Sequence, residues 1–89
     1  MIARNWRCSA GEVDLIVGLA GVVVFCEVKA RASSQFGGPE AAVNHAKQRR
    51  LRRLAAIWLA AARPVHTVEV RFDVAAVVGA HVEVIEAAF

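Results

Sequence analysis

Residues 11–31 constrain the fold of this chain more than any other stretch of the sequence. They contain two runs rich in β-branched residues, 12–18 and 22–30, separated by a short corner that ends in Gly21. Such runs favour two antiparallel strands joined by a tight turn. Residues 22–25 are apolar at every position, which predicts a strand buried on both faces. The sequence therefore predicts a β-hairpin at the centre of a small fold.

Charged residues interrupt this apolar hairpin at one end. Because side chains alternate along a strand, Glu12 and Asp14 are expected on one face of the first strand. By the same rule Glu27, Lys29 and Arg31 share one face of the second strand. Burying such charges is costly unless they pair or bind a metal ion.

Asp14, Glu27 and Lys29 match the needs of metal-assisted phosphodiester hydrolysis. Two carboxylates can bind a hard cation such as Mg²⁺, and a lysine beside them can orient or deprotonate water and offset phosphate charge. A simpler interpretation is that Glu27 and Lys29 form an ion pair on a half-exposed strand, worth about 0 to 1 kcal/mol. The Glu-x-Lys spacing alone favours the ion pair, whereas Asp14 on the neighbouring strand favours the metal site.

The remaining chain completes an α/β pattern. Residues 1–7 are predicted as a first strand, 39–63 as a helix that Pro64 ends, and 68–78 and 82–85 as two further strands. The strand, helix, strand succession from residue 22 to residue 78 predicts a right-handed crossover between parallel strands. We therefore expect a mixed sheet of four or five strands with one long helix on one face.

The predicted helix separates apolar from basic residues. One face at helical spacing carries Val43, Lys47, Leu51, Leu54 and Trp58. We predict that Lys47, on this face near the helix start, contacts phosphate; the alternative is a lysine whose stem lies on the core while its amine reaches water.

Three arginines lie on the opposite face of the predicted helix. For Arg49, Arg52 and Arg53 a solvated helix surface is favoured over a phosphate-binding stripe. Arg50 falls at the flank between the two faces.

Length and composition limit the function classes. The 89 residues are predicted to form one domain, residues 1–89, and the net charge of +3 suggests a polyanionic partner. No apolar run approaches the roughly 20 residues of a membrane span and no signal peptide is apparent, so a cytoplasmic protein is expected. Two cysteines provide neither a disulfide framework nor metal-ligand spacing, and the three histidines share no ligand spacing.

Several short motifs together resemble the YraN-like family of small bacterial proteins. The resemblance covers nearly the whole chain and rests on these matches: Asn5-x-Arg7, Gly11-Glu12-Val13-Asp14-Leu15-Ile16, Phe25-x-Glu27-Val28-Lys29-x-Arg31, Phe36-Gly37, Ala42-Val43, Lys47 and Arg71-Phe72-Asp73-Val74. That family is similar to the PD-(D/E)xK nucleases, which have a restriction-endonuclease-like fold, and it is often likened to Holliday-junction resolvases. Its members carry a helix before the first strand, which this chain is expected to lack.

The resemblance implies a metal-dependent endonuclease acting on DNA. Asp14 and Glu27 would be ligands of Mg²⁺ or Mn²⁺, Lys29 the catalytic lysine, and the carbonyl of Val28 a further metal ligand. Lys47, together with Arg7 and Arg31, would contact backbone phosphates, an attraction that weakens with salt. The alternatives are a nucleic-acid-binding module without catalysis and a protein-interaction subunit that retains a relic acidic site.

One helix can cover only one face of the predicted sheet. Apolar residues on the other face, including Val13, Leu15 and Val17, are expected to lie opposite the acidic residues. Leaving several such side chains in water forfeits about 1.5 to 3 kcal/mol each. We therefore expect this chain to self-associate through this face; the alternative is that the native protein starts upstream and supplies a covering helix itself.

Overall fold

The computed structural model of the protein describes residues 2–31, 44–65, 67 and 69–89. Its elements, in chain order, are β1 (Ala3–Cys8), β2 (Gly11–Leu19), β3 (Val22–Arg31), α1 (His45–Ala62), β4 (Glu69–Val78) and β5 (His81–Ile85). The strands form one five-stranded sheet in the order β1-β2-β3-β4-β5. The predicted α/β fold, a mixed sheet with one helix, is confirmed.

The sheet is antiparallel except at its centre. β3 and β4 run parallel, with Val22 paired to Glu69 at one end and Arg31 to Val78 at the other. Parallel neighbours need a long connection that crosses over the sheet, and α1 lies in that connection. The predicted parallel pair is therefore confirmed, and it places the carboxyl end of β3 near the start of α1.

The helix begins later than the sequence pattern predicts. Asn44 has an extended backbone and its side-chain oxygen accepts a 2.9 Å hydrogen bond from the backbone N–H of Lys47, so it is the N-cap of α1. A continuous helix from Pro39 is therefore wrong, and Pro39 itself lies outside the described residues. At the other end Arg63 caps the helix in a left-handed conformation directly before Pro64, as the proline predicts.

The core lies between α1 and one face of the sheet. Leu51, Leu54 and Trp58 are buried there, as the helical spacing predicts. Phe25 at the centre of β3 is fully buried, and its ring lies 5.8 Å from the rings of both Trp58 and Phe72. These aromatic contacts, with the apolar area that they remove from water, hold the helix on the sheet.

One arginine of the predicted solvated helix face also contributes to packing. The Arg52 guanidinium lies 5.1 Å from the centre of the Phe72 ring and 5.4 Å from that of Phe89. Arg52 is exposed, as predicted, and its guanidinium also packs on these rings, because a guanidinium is attracted to the negative face of an aromatic ring.

Strict alternation predicts Val13 on the open face of the sheet with Leu15 and Val17. This prediction is wrong for Val13. Val13 is fully buried in the core beneath the helix, together with Ile16. Residues three positions apart cannot share a face of a regular strand, so β2 departs from regular alternation between Val13 and Ile16.

The sheet face opposite α1 carries no helix within the described ranges. It forms an open groove of about 290 Å³ whose lining includes Leu15, Val17, Val24, Cys26, Arg71 and Asp73. Val24 and Cys26 are nonetheless buried by their neighbours in the sheet. Self-association through this face stays a prediction. Within the described ranges, no helix combines the length and apolar character needed to cross a bilayer.

Candidate functional site

The pairing of β2 with β3 stops at the predicted site. The last pair in register is Leu15 with Cys26, and continuing that register would place Asp14 opposite Glu27. Instead of a further backbone pair, the Asp14 Oδ2 atom accepts a 2.8 Å hydrogen bond from the backbone N–H of Val28. The Asp14 side chain therefore fills the gap in the ladder and is fixed against β3.

Glu27 and Lys29 form an ion pair on the same strand. The Lys29 Nζ atom lies 3.1 Å from Glu27 Oε1, and the side chains are 26% and 7% exposed respectively. Glu27 lies two residues after Phe25, so both project towards the face that α1 covers. The Glu27 carboxylate is thus nearly removed from water, and the neighbouring ammonium compensates its charge.

The structure brings three of the predicted residues together around Val28. Asp14 contacts its N–H, while the Glu27–Lys29 pair flanks Val28 along β3. In an extended strand the N–H and C=O of one residue point to the same side, so the Val28 carbonyl also faces the Asp14 side. The Asp14 carboxylate and the Val28 carbonyl consequently border the same gap, and Glu27, the preceding residue of β3, carries the second carboxylate.

Lys47 joins this cluster from the first turn of α1. The side chains of Lys29 and Lys47 lie within hydrogen-bonding reach, a contact that raises the pKa of Lys29 and lowers the pKa of Lys47. The carboxylates of Glu27 and Asp14 also attract Lys29 and raise its pKa further. Lys29 is therefore the lysine that holds its proton more firmly.

Arg50 extends the positive charge of this cluster along α1. It lies one helical turn from Lys47, and its charge contributes to the lowered pKa of Lys47. A Cβ atom built on Gly11 would lie 3.7 Å from Arg50 Cδ, so the arginine stem packs beside the β1–β2 turn. Sequence spacing left Arg50 at the flank of the helix; only the position of the turn shows that it neighbours the site.

The other two predicted phosphate contacts lie differently. Arg7 forms a 3.5 Å ion pair with Glu12, and its side chain is 77% exposed. Arg7 is therefore on the hairpin surface and not beside Lys29 and Lys47. Arg31 is the last residue of β3, and its side chain lies outside the described part of the structure.

The oxygen atoms at the site suit a hard divalent cation. Asp14 uses one carboxylate oxygen for Val28, which leaves the other available, and Glu27 supplies a second carboxylate. Mg²⁺ is commonly held by one or two carboxylates and keeps several waters, so these ligands and the Val28 carbonyl fit it. Within the described ranges, no group of three or more His, Cys, Asp or Glu side chains is placed to hold a metal ion.

Cys26, next to Glu27, is not a further reactive group. Burial, followed by the charges of Asp73 and Asp14, raises the pKa of its thiol to about 11. The thiol is therefore protonated near neutral pH and packs as a small apolar side chain.

A family model described as "Uncharacterised protein family UPF0102" matches residues 1–77. A UPF0102 protein of Mycolicibacterium vanbaalenii is 52% identical over 77 residues, which cover 86% of this chain and 63% of the relative. One from Mycolicibacterium smegmatis is 53% identical over 75 residues, covering 82% and 60% respectively. One from Beutenbergia cavernae is 52% identical over 77 residues, covering 86% and 64%. The chain thus spans less than two thirds of the length of these relatives.

Proposed function

The chain belongs to the uncharacterised protein family UPF0102, the YraN-like family that its motifs resemble, and we propose that it is a metal-dependent nuclease that hydrolyses phosphodiester bonds in DNA. One observation carries the proposal: Asp14, Glu27 and Lys29 converge around Val28 at the point where β2 leaves β3. The expected similarity to PD-(D/E)xK nucleases is compatible with this sheet and helix.

Each residue of the cluster has a separate role in this proposal. Asp14 and Glu27, with the Val28 carbonyl, hold Mg²⁺ or Mn²⁺, which when bound supplies Lewis acidity at the scissile phosphate. Lys29 orients the attacking water and offsets the phosphate charge. The 3.1 Å contact with Glu27 fixes the position of the Lys29 ammonium.

Positive residues next to the cluster provide the attraction to DNA. Lys47 lies beside Lys29, and Arg50 extends this group of positive charges towards the β1–β2 turn. Arg7 and Arg31 would add contacts further along the backbone. Binding through such residues releases counterions, so affinity should fall steeply as salt concentration rises.

Cleavage assays on duplex, branched and single-stranded DNA test the proposal. With Mg²⁺ or Mn²⁺ the wild-type protein should cleave at least one substrate, whereas Glu27→Gln and Lys29→Ala should abolish cleavage. Binding to the same DNA in EDTA should stay nearly unchanged, because these residues serve chemistry more than affinity. Retained cleavage by the Lys29 variant would contradict the assigned roles.

Arg49→Ala is the matched control for these variants. Arg49 is exposed on α1, away from the core face of the helix, and should affect neither cleavage nor binding. Lys47→Ala and Arg50→Ala should instead weaken binding in EDTA and reduce the slope of affinity against salt by about one each.

A second candidate function is nucleic-acid binding without catalysis. It is favoured by the small acidic set: within the described ranges, no third acidic, histidine or cysteine side chain is placed to join Asp14 and Glu27 in holding a metal ion. Salt-sensitive DNA binding without cleavage by any divalent cation would support this function. Absence of DNA binding would instead favour a protein-interaction subunit.

A further inference from the structure

Asn5 has an unusual backbone conformation directly across from the site. Its φ angle is 51°, in the left-handed region, although it lies in the middle of β1. Residues with a Cβ lose about 1 to 2 kcal/mol in this region, asparagine being among the better tolerated. Such strain persists only where the surrounding structure imposes it, and it concentrates at functional sites.

The strand pairing shows where the strain acts. Arg4 pairs with Leu15 and Trp6 with Val13, which leaves Asn5 and Asp14 as the intervening positions without a ladder pair. The irregular position of β1 and the ligand candidate of β2 therefore lie directly opposite each other.

Both strands change face at this level. Ala3 and Trp6 pack against the same core although they are three residues apart, and the same holds for Val13 and Ile16 on β2. A regular strand would place each pair on opposite faces. In β1 and β2 together, the alternation of side chains between the two faces therefore shifts by one residue at the level of Asn5.

This shift coincides with the end of the β2–β3 ladder. Continued pairing would place Val28 opposite Val13, and a backbone carbonyl would then satisfy the Val28 N–H. Instead Asp14 Oδ2 accepts that N–H. Turning β2 away from β3 is what opens the gap that the Asp14 carboxylate fills.

We infer that Asn5 is a positioning residue whose left-handed backbone turns β2 away from β3 and so sets the Asp14 carboxylate against Val28. This role of Asn5 in building the site rests on the proposed function only for the use of Asp14. Glycine adopts the required φ freely, whereas alanine and, more strongly, valine resist it. The side chain of Asn5 is exposed, so glycine there removes no core packing.

Amide hydrogen exchange at Val28, measured by NMR in EDTA, tests the inference without any cleavage assay. The exchange rate of the Val28 amide is divided by that of the Phe25 amide. This ratio corrects for the effect of a variant on global stability. Asn5→Gly should leave this ratio within about twofold of wild type. Asn5→Ala and Asn5→Val should raise it about tenfold or more, the equivalent of about 1.4 kcal/mol.

Ala20→Val is the matched control. Ala20 also has a positive φ angle, 49°, but it lies in the turn at the other end of β2. This variant should destabilise the whole protein and leave the ratio unchanged.

Three results would overturn the inference: an unchanged ratio in Asn5→Ala, an equal rise in Asn5→Gly, or a rise in Ala20→Val. If Asn5→Val does not fold, Asn5→Ala and Asn5→Gly decide the outcome. Absence of cleavage by wild type would contradict the proposed function alone, because the exchange ratio does not depend on it.

Discussion

Replacing Lys29 with methionine tests the ion pair at the centre of the site. Methionine keeps an apolar stem of similar length and removes only the ammonium group. The Glu27 carboxylate, 7% exposed, then loses the partner that lies 3.1 Å away. A buried charge without its partner is costly, so Lys29→Met should lower the free energy of unfolding in the absence of metal.

The size of the loss follows from the exposure of the two side chains. Fully buried pairs lose about 3 to 5 kcal/mol when one partner is removed, and fully exposed pairs about 0 to 1 kcal/mol. Because Lys29 is 26% exposed, the loss should lie between these limits. Relief of the contact between Lys29 and Lys47 offsets part of it. We expect about 2 kcal/mol, which lowers Tm by about 8 to 16 °C in a chain of this size.

Urea unfolding in EDTA, followed by the fluorescence of buried Trp58, measures this loss. The Glu27→Gln/Lys29→Met double variant should be more stable than the sum of the single changes predicts, with a coupling of about 1 to 2 kcal/mol. Arg7→Met breaks an exposed ion pair and should have no measurable effect. Additive effects of the Glu27 and Lys29 changes would refute the reasoning.

Three further predictions follow from the fold. Ala20→Asn should stabilise the protein by about 1 kcal/mol in urea unfolding, because Ala20 and the following glycine both have positive φ in the two-residue β2–β3 turn. Arg52→Gln should lose about 0.5 to 1 kcal/mol in the same assay, because it removes the guanidinium from the Phe72 and Phe89 rings. The wild-type chain should sediment as a dimer or larger species, and Leu19→Lys, on the open groove, should shift it towards monomer; a wild-type monomer at high concentration would contradict this expectation.

The strands, the helix and its core-facing side chains are predictable from the sequence because each follows a local rule. β-branched runs mark the hairpin, and apolar spacing marks Leu51, Leu54 and Trp58 as the buried face of α1. Pro64 marks the helix end for a reason confined to its own ring. The helix start was harder, because Pro39 and Asn44 both carry N-terminal signals and the pattern alone favours the earlier one.

The shift of β1 and β2 was not predictable in the same way. A prediction from side-chain alternation assumes that each strand is regular. It therefore puts Val13 with Leu15 on the open face, whereas Val13 packs in the core. The signal in the sequence was Asn5, since asparagine tolerates positive φ better than most residues. Asparagine is too common in turns and caps for that signal to stand without the structure.

The placement of Arg50 beside the site depends on tertiary contacts as well. Its neighbour is the turn at Gly11, nearly forty residues earlier in the chain, and no periodicity within α1 reveals that contact. Asp14, Glu27 and Lys29 could be chosen from the sequence because adjacent antiparallel strands bring them together locally.

The central claim is that Asp14 and Glu27 hold a divalent cation, and crystals soaked in Mn²⁺ test it most directly. The account predicts an anomalous density peak bound by both carboxylates and by the Val28 carbonyl, and its loss in Glu27→Gln. A crystal that binds Mn²⁺ elsewhere, with no peak between Asp14 and Glu27, would contradict the claim.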